Sequence, residues 1–190
     1  MKNPIVDKVF TNQNYSGTKL VAREYDSCTF ANCNFSDADI STVIFLECKF
    51  VDCNFTKVVM KQTAFRDECV FERCKLLGAN FTGCDTFIFS AMFIGCILDY
   101  ASFYGLEIKN TQFINCRLTG VDFTEATITG SLFDNCDLAN ATFERTIAEK
   151  VDFRTALNFD IDPEKNKIKK AKFSKDNLIG LLRKYNLVIE

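Results

Sequence analysis

A large apolar residue returns at every fifth position through most of this chain. The interval holds from Phe10 to Phe65, shifts by one residue before Phe71, shifts by two before Ile88, and then continues to Phe153. An interval of five matches neither the 3.6-residue period of a helix nor the two-residue period of a flat strand. Self-similarity of this length is typical of a repeat architecture, in which each unit packs against the next.

Every fourth of these positions carries the same kind of residue, which adds a longer period of twenty. One column is phenylalanine throughout and consists of Phe10, Phe30, Phe50, Phe71, Phe93, Phe113, Phe133 and Phe153. When residues about twenty positions apart are of the same type, they are expected to contact one another in the folded chain. We therefore predict a solenoid with four five-residue sides per turn, whose turns are hydrogen-bonded at the usual ladder spacing of about 4.7–4.9 Å.

A small side chain lies two positions before most of the large ones, as in Cys33, Ala79 and Ala126. Positions two apart in an extended chain share a face, so both side chains are expected to point inward. A small group beside a large one fits a narrow, close-packed interior. The residues in between are mostly Asn, Asp, Ser, Thr, Gly and Lys, which suit corners and contact with water.

Units such as Cys-Asn-Phe-Ser at 33–36, Ala-Asn-Phe-Thr at 79–82 and Cys-Asp-Leu-Ala at 136–139 resemble those of the pentapeptide-repeat family. The resemblance covers about four-fifths of the chain and implies an all-β, right-handed quadrilateral β-helix. We expect a single domain over 1–190, with an N-terminal cap at 1–9 and the β-helix at 10–155. A last partial coil, a short C-terminal helix and a tail are expected over 156–190. The repeat by itself does not define a function.

Composition narrows the functional classes. The net charge of −2 offers no basic excess for direct nucleic-acid binding. We find no signal peptide and no apolar run long enough for a membrane span, so a cytoplasmic protein without membrane association is expected. The chain has no histidine, no glycine-rich phosphate loop and no nucleophile–base arrangement. We therefore predict a non-enzymatic protein without a cofactor.

The ten cysteines allow three interpretations. A disulfide ladder would require an oxidising compartment, and a zinc site would require closer spacing than the intervals of five and twenty seen here. The third, which we favour, treats them as small buried apolar residues, so no metal site is expected. Six form one inward column: Cys33, Cys53, Cys74, Cys96, Cys116 and Cys136. Cys84 falls outside the columns and is the one candidate for a reactive thiol.

The excess of acidic residues is concentrated in residues 85–144, which carry eight acidic residues against two basic ones. Carboxylates at fixed spacing on a rigid rod can present a negative stripe to a basic partner, although an ordinary solvated surface is the alternative. The candidate acidic partner-binding residues are Asp99, Glu107, Asp122, Asp134, Asp137 and Glu144. Residues one place after an inward position should face out, which predicts an apolar contact patch. Its candidate members are Phe89, Ile94 and Ile114, with Tyr104 in the same position of its unit.

The two shifts in the repeat are predicted to be small outward bulges at corners, near Asp67 and around residues 85–87. Insertions in repeat proteins often mark the binding face, and tolerated drift at a corner is the alternative.

The repeat ends after Arg154, and a turn near Pro163 precedes a partial coil that contains Ile168 and Phe173. Ser174 is a suitable cap for a short helix over about 175–185. An apolar stripe and tail follow, which could close the interior and form a two-fold dimer; a monomeric cap is the alternative. The candidate dimer residues are Leu178, Leu181, Leu182, Tyr185, Leu187 and Ile189.

Asp160-Ile161 and the segment 181–189 resemble the C-terminus of the Qnr and MfpA-type fluoroquinolone-resistance proteins. That resemblance implies a tail-to-tail homodimer that mimics DNA and binds DNA gyrase or topoisomerase IV. The long loops of the Qnr branch are missing here, and lysines between 165 and 172 would dilute the acidic potential. A rigid scaffold that binds some other protein through Phe89, Ile94 and Ile114 is the competing hypothesis.

Overall fold

The chain winds into a right-handed quadrilateral β-helix, seen here in a computed structural model that describes residues 3–21, 23–85 and 89–188. Its strands are short and each forms part of one side of a coil. They are β1 Ile5–Val6, β2 Val9–Thr11, β3 Glu24–Asp26, β4 Thr29–Ala31, β5 Ile44–Leu46, β6 Lys49–Val51, β7 Ala64–Arg66, β8 Cys69–Glu72, β9 Ala91–Ile94, β10 Gln112–Ile114 and β11 Leu132–Asp134. Two 3₁₀-helical segments, Lys175–Leu181 and Arg183–Tyr185, end the described chain.

All strand pairing is parallel and joins residues of successive coils. One sheet has the order β2-β4-β6-β8-β9-β10-β11, and a second has the order β1-β3-β5-β7. Isolated parallel bridges, such as that between Ser102 and Asp122, connect the coils on the remaining sides. We name the four faces after an inward residue on each: the Phe93, Leu98, Phe103 and Ile108 faces. The seven-stranded sheet is the Phe93 face, and the four-stranded sheet belongs to the Ile108 face.

The phenylalanine column lies in the core as predicted. From Phe10 to Phe173 each ring is stacked on the next, with centroids between 4.8 and 5.4 Å apart. These distances are close to the ladder spacing, so the backbone hydrogen bonds and the ring contacts repeat together. The spacing of twenty residues is thereby confirmed as the length of one coil.

The corners explain why polar residues recur after each inward position. Corner residues such as Asn32, Asp52 and Asn140 have φ between 53° and 58°. This left-handed conformation is tolerated by Asn and Asp better than by most residues and carries no steric cost for glycine. The first predicted bulge is confirmed, since Asp67 and Glu68 are both exposed and both have positive φ. The second lies mostly at residues 86–88, outside the described residues, as does the predicted inward Ile88.

The small inward side chains also satisfy carbonyl groups of the preceding coil. The thiol of Cys53 donates to the carbonyl oxygen of Phe30 at 3.4 Å, and the hydroxyl of Thr63 donates to that of Ile40 at 2.8 Å. All ten cysteines are free and buried, which agrees with their prediction as small core residues.

The prediction that Cys84 falls outside the inward columns is wrong. Its N–H donates to the carbonyl of Phe81 at 2.8 Å, as the N–H of Thr63 does to Met60 one coil earlier. Cys84 therefore occupies the inward position directly before the two-residue insertion. Burial raises the pKa of its thiol to about 12, so it is not a reactive cysteine.

The β-helix begins five residues earlier than the predicted start at residue 10, because Ile5 pairs with Tyr25 and packs against the core. The predicted last partial coil is confirmed at Phe173, whose ring stacks on Phe153. Below it, the side-chain amide of Asn177 donates to the carbonyls of Phe153 and Ala156 at 2.8 and 3.2 Å. The C-terminal segment therefore closes this end of the interior by satisfying carbonyls that no further coil would reach.

Candidate protein-binding surface

The six candidate acidic residues are distributed over all four faces. Asp134 lies on the Phe93 face, and Asp99 and Asp137 lie on the Leu98 face. The Phe103 face carries Asp122 and Glu144, and the Ile108 face carries Glu107. Because the face is fixed by position within the twenty-residue coil, residues that are not separated by about a whole number of coils lie on different faces or at different positions of one face. The structure does not bring these carboxylates together in a single stripe.

Several of these carboxylates are already paired with cations. Asp99 is buried and contacts Arg117 at 2.6 Å, so the expectation of an open carboxylate is wrong there. That hydrogen-bonded pair raises the pKa of Arg117. Glu144 lies 3.4 Å from Lys165, and Glu107 pairs with Lys109. Local neutralisation weakens the field that this segment can present at a distance.

The other three carboxylates accept hydrogen bonds from neutral groups. Asp122 accepts from the backbone N–H of Thr124 at 2.8 Å. The hydroxyl of Thr155 donates to Asp134, and the side-chain amide of Asn158 donates to Asp137, each at 2.8 Å. These three acids form no ion pair among the described residues, and they lie on three different faces.

Two of the predicted apolar contact residues are adjacent. Ile94 on β9 and Ile114 on β10 pair in register on the outer side of the seven-stranded sheet, and both are half-buried. Tyr104 lies on the Phe103 face instead, where its hydroxyl donates to Glu125 at 3.0 Å. Only the isoleucine pair therefore belongs to a common surface.

The outward position predicted for Phe89 is wrong. Its ring is buried and meets the rings of Phe65 and Phe81 edge-on, with centroids 6.2 and 6.1 Å apart. The two-residue insertion changes the register of the unit, so that the position after the expected inward residue turns into the core. Phe89 cannot contact a partner directly.

Three further apolar residues on the same face were missed. Val70 on β8 pairs in register with Met92 on β9. Gln112 on β10 pairs with Met92 on one side and with Leu132 on β11 on the other, so it separates these two residues. All three apolar side chains are half-buried. The signal was available, because each lies one place before a phenylalanine of the central column. We define the sheet patch as Val70, Met92, Ile94, Ile114 and Leu132.

The C-terminal segment forms at the predicted place but as 3₁₀ helix. With three residues per turn, the expected α-helical stripe is split. Leu181 packs against the core, and Leu182 is half-buried, while Leu178 is 43% exposed. Tyr185 is exposed and its hydroxyl donates to Glu164 at 3.0 Å.

The tail beyond this segment is also apolar. Leu187 and Val188 are 54% and 87% exposed, and Ile189 lies outside the described residues. Several large apolar side chains therefore face solvent at this end of the rod.

Among residues 3–21, 23–85 and 89–188, no group of three or more Cys, Asp or Glu side chains is arranged to hold a metal ion. Over the same residues, none of the helical segments has the length and apolar character needed to cross a bilayer.

The geometry defines a rod-like repeat protein with a repeat unit of five residues. Family models agree: the "Pentapeptide repeat region" model matches residues 86–158, and "Pentapeptide repeats (8 copies)" matches residues 26–56 and 33–67. The chain belongs to the pentapeptide-repeat proteins. These models describe a repeat and indicate no catalytic family.

The solved structures that are similar to this chain include those of QnrB1 and HetL. A trypsin-treated variant of QnrB1, a plasmid-mediated fluoroquinolone resistance protein, is 20% identical, with full coverage of both chains and a TM-score of 0.56. HetL, involved in heterocyst differentiation regulation in the cyanobacterium Nostoc sp. strain PCC 7120, is 16% identical over 88% of this chain and 86% of its own, with a TM-score of 0.41. At this identity the likeness to QnrB1 shows the fold alone. No curated protein matches the sequence.

Proposed function

We propose that this protein is a non-enzymatic binding protein that recognises a protein partner through the sheet patch. The observation that carries the proposal is the in-register pairing of Ile94 with Ile114 and of Val70 with Met92 on the outer side of the seven-stranded sheet, with Leu132 one strand beyond Gln112. Apolar side chains that remain partly exposed and are surrounded by polar residues are typical of protein interfaces.

The rigid fold supports this role. The side chains of the patch project from a parallel sheet whose other side is the stacked phenylalanine core, so their spacing is set before a partner arrives. Pre-organisation lowers the ordering cost of association. Because the contact is apolar, binding should depend only weakly on salt.

The test is cross-linking in cells that express the protein at its natural level, with recovered partners identified by mass spectrometry. The double variant Ile94→Asp, Ile114→Asp should lose a specific cross-linked partner that the wild type captures. Thr127→Asp, Ile147→Asp is the matched control, since these residues are also paired in register and outward, but on the Ile108 face. Equal capture by both variants would refute the proposal.

A second candidate is a DNA-mimicking homodimer that binds DNA gyrase or topoisomerase IV in the cytoplasm. It is favoured by the exposed apolar C-terminal end, where Leu178 and Leu187 could form a two-fold contact, and by the excess of acids in residues 85–144. The acidic residues lie on several faces and some of them form ion pairs, which argues against a DNA-like charge pattern and favours binding through the sheet patch. Gyrase supercoiling assays with purified protein across a salt series separate the two: a mimic inhibits, and its inhibition falls steeply with salt.

A further inference from the structure

The corner between the Ile108 and Phe93 faces, beside the sheet patch, changes its charge along the rod. The coils are hydrogen-bonded at this corner: the N–H of Glu47 donates to the carbonyl of Arg66 at 3.2 Å, and that of Lys150 to Lys169 at 3.0 Å. In chain order, residues with positive φ at this corner include Glu47, Asp67, Asn110, Gly130, Lys150 and Lys170. The corner is therefore acidic towards the N-terminal end, neutral in the middle and basic towards the C-terminal end.

The charges at this corner are not neutralised within the chain. Glu47, Asp67, Lys150 and Lys170 are all exposed. None of the four forms an ion pair among the residues that the structure describes. Both ends of the corner therefore keep charge that an oppositely charged surface can approach.

The opposite charges are placed symmetrically about the coil of Phe113. Asp67 lies two coils before that coil, and Lys150 lies two coils after it. Glu47 and Lys170 lie three coils before and three coils after. Because successive coils are separated by one ladder spacing of about 4.7–4.9 Å, each acid is as far from the centre as the matching base. The corner is thus complementary to itself when a second rod is turned end to end.

The sheet patch has the same centre as this charge pattern. A two-fold axis that runs along β10 would place β10 against its own copy and β9 against β11 of the other chain. Ile114 then meets Ile114 of the second copy, and Met92 meets Leu132. A two-fold contact of this kind uses one surface twice, so apolar and charged residues must both match, as they do here.

Charged residues on the strands are compatible with the same arrangement. Glu72 of one copy would lie opposite Arg154 of the other, which is favourable. Lys49 would lie opposite Lys172, but each already has an acidic partner in its own chain, Glu72 at 2.8 Å and Asp152 at 3.8 Å. Pairing within the chain reduces the repulsion between these two lysines.

We propose that a second copy of this chain covers the sheet patch, side by side and antiparallel. Asp67 of each copy pairs with Lys150 of the other, and Glu47 pairs with Lys170. The apolar centre supplies the contact, and the charged corners select the antiparallel orientation, since a parallel one would bring like charges together. This inference goes beyond the proposed function, because the second copy would compete with the protein partner for the same patch and does not require that partner.

The test uses the purified full-length chain with Gln112→Cys, treated with a short bismaleimide across a range of protein and salt concentrations. Gln112 is exposed on β10, next to the two-fold axis, and the native cysteines are buried. We expect a covalent dimer at low salt whose yield falls as salt screens the corner charges. A dimer joined only at the C-terminal end would keep the two copies of residue 112 far apart and would give no such product.

Charge reversal identifies the orientation. Glu47→Lys with Asp67→Lys, and Lys150→Glu with Lys170→Glu, should each raise the protein concentration needed for half-maximal cross-linking by about tenfold or more. An equimolar mixture of the two variants should restore cross-linking, because the basic corner of one then faces the acidic corner of the other.

The matched controls are Asp37→Lys and Lys57→Glu, which reverse exposed charges at the corner between the Leu98 and Phe103 faces. Both should cross-link as the parent chain does. No covalent dimer, an equal loss in the controls, or no recovery in the mixture would overturn the inference. Failure here leaves the capture of a different protein in cells unaffected, and loss of that capture would not alter cross-linking of the purified chain.

Discussion

The ring of Phe113 lies parallel to the ring of Phe93, with their centroids 5.1 Å apart and 5° between their planes, although twenty residues separate them in the chain. The same relationship joins Phe113 to Phe133 at 4.9 Å. Each central phenylalanine is therefore held between two others as well as by its own coil. The core is a continuous column, and its stability depends mainly on contacts between neighbouring coils.

Phe113→Ala should lower the free energy of unfolding by about 3–5 kcal/mol, as truncation of a buried phenylalanine usually does. The ring is fully buried, so its loss leaves a cavity between Phe93 and Phe133. Chemical denaturation followed by circular dichroism measures the effect. Phe173→Ala at the half-buried end of the column is the control and should cost less. A loss below about 1 kcal/mol for Phe113→Ala would contradict a close-packed column.

Two threonines at equivalent inward positions should respond differently to the same substitution. Thr146 donates its hydroxyl to the carbonyl of Phe123 at 2.8 Å, while the hydroxyl of Thr111 has no partner. Thr146→Val should therefore cost about 1 kcal/mol, and Thr111→Val should be neutral or stabilising. Denaturation midpoints of both variants provide the comparison. If Thr111→Val is the more harmful change, the hydroxyl is satisfied in solution.

The cysteines should be unreactive in the folded protein. Burial raises the pKa of Cys48 and of Cys84 to about 12, so at pH 8 only about one molecule in ten thousand carries the thiolate at either site. A colorimetric thiol reagent should find no fast-reacting group in the native state and ten after denaturation. Fast modification of Cys84 in the native protein would show that this coil opens readily.

Stability should fall in acid, in part because of Asp152. Hydrogen bonds from the Arg154 side chain lower the pKa of this carboxyl below its usual value. A depressed pKa contributes stability above the unfolded-state value near 4, and this contribution is lost as pH falls through the folded-state pKa. Asp152→Asn should therefore lower stability at pH 7 and flatten its decline below about pH 4. Parallel curves for variant and wild type would show that the pair contributes nothing.

The exposed C-terminal end should mediate self-association. Leu178→Asp combined with Leu187→Asp should convert a dimer into a folded monomer, because both side chains face solvent in the single chain. Light scattering coupled to size exclusion measures the mass, and circular dichroism verifies the fold. Leu181→Asp is the contrasting variant, and it should lower stability because Leu181 packs against the core. A wild-type protein that is already monomeric would exclude the dimer.

The sequence pattern predicted the inward residues of the repeat more accurately than the residues of the surface. The column from Phe10 to Phe153 and the inward cysteines could be assigned from spacing, because every unit repeats the same geometry. Phe89 and Cys84 were misassigned because both adjoin the two-residue insertion. An insertion changes the register by an amount that depends on how the chain repacks, and that repacking is not a property of the residues themselves.

The sequence by itself determined the coil length, the inward residues and the corners, because a period of five repeated four times per turn leaves few alternatives for burying so many aromatic rings. Only the tertiary structure decided which outward side chains are neighbours. Ile94 and Ile114 meet because their positions in successive coils coincide, whereas Asp99 and Asp122 belong to different faces. Whether an outward side chain stays accessible or forms an ion pair, as Asp99 does with Arg117, depends on residues in adjacent coils. Contacts between coils therefore created the surface that we propose for binding.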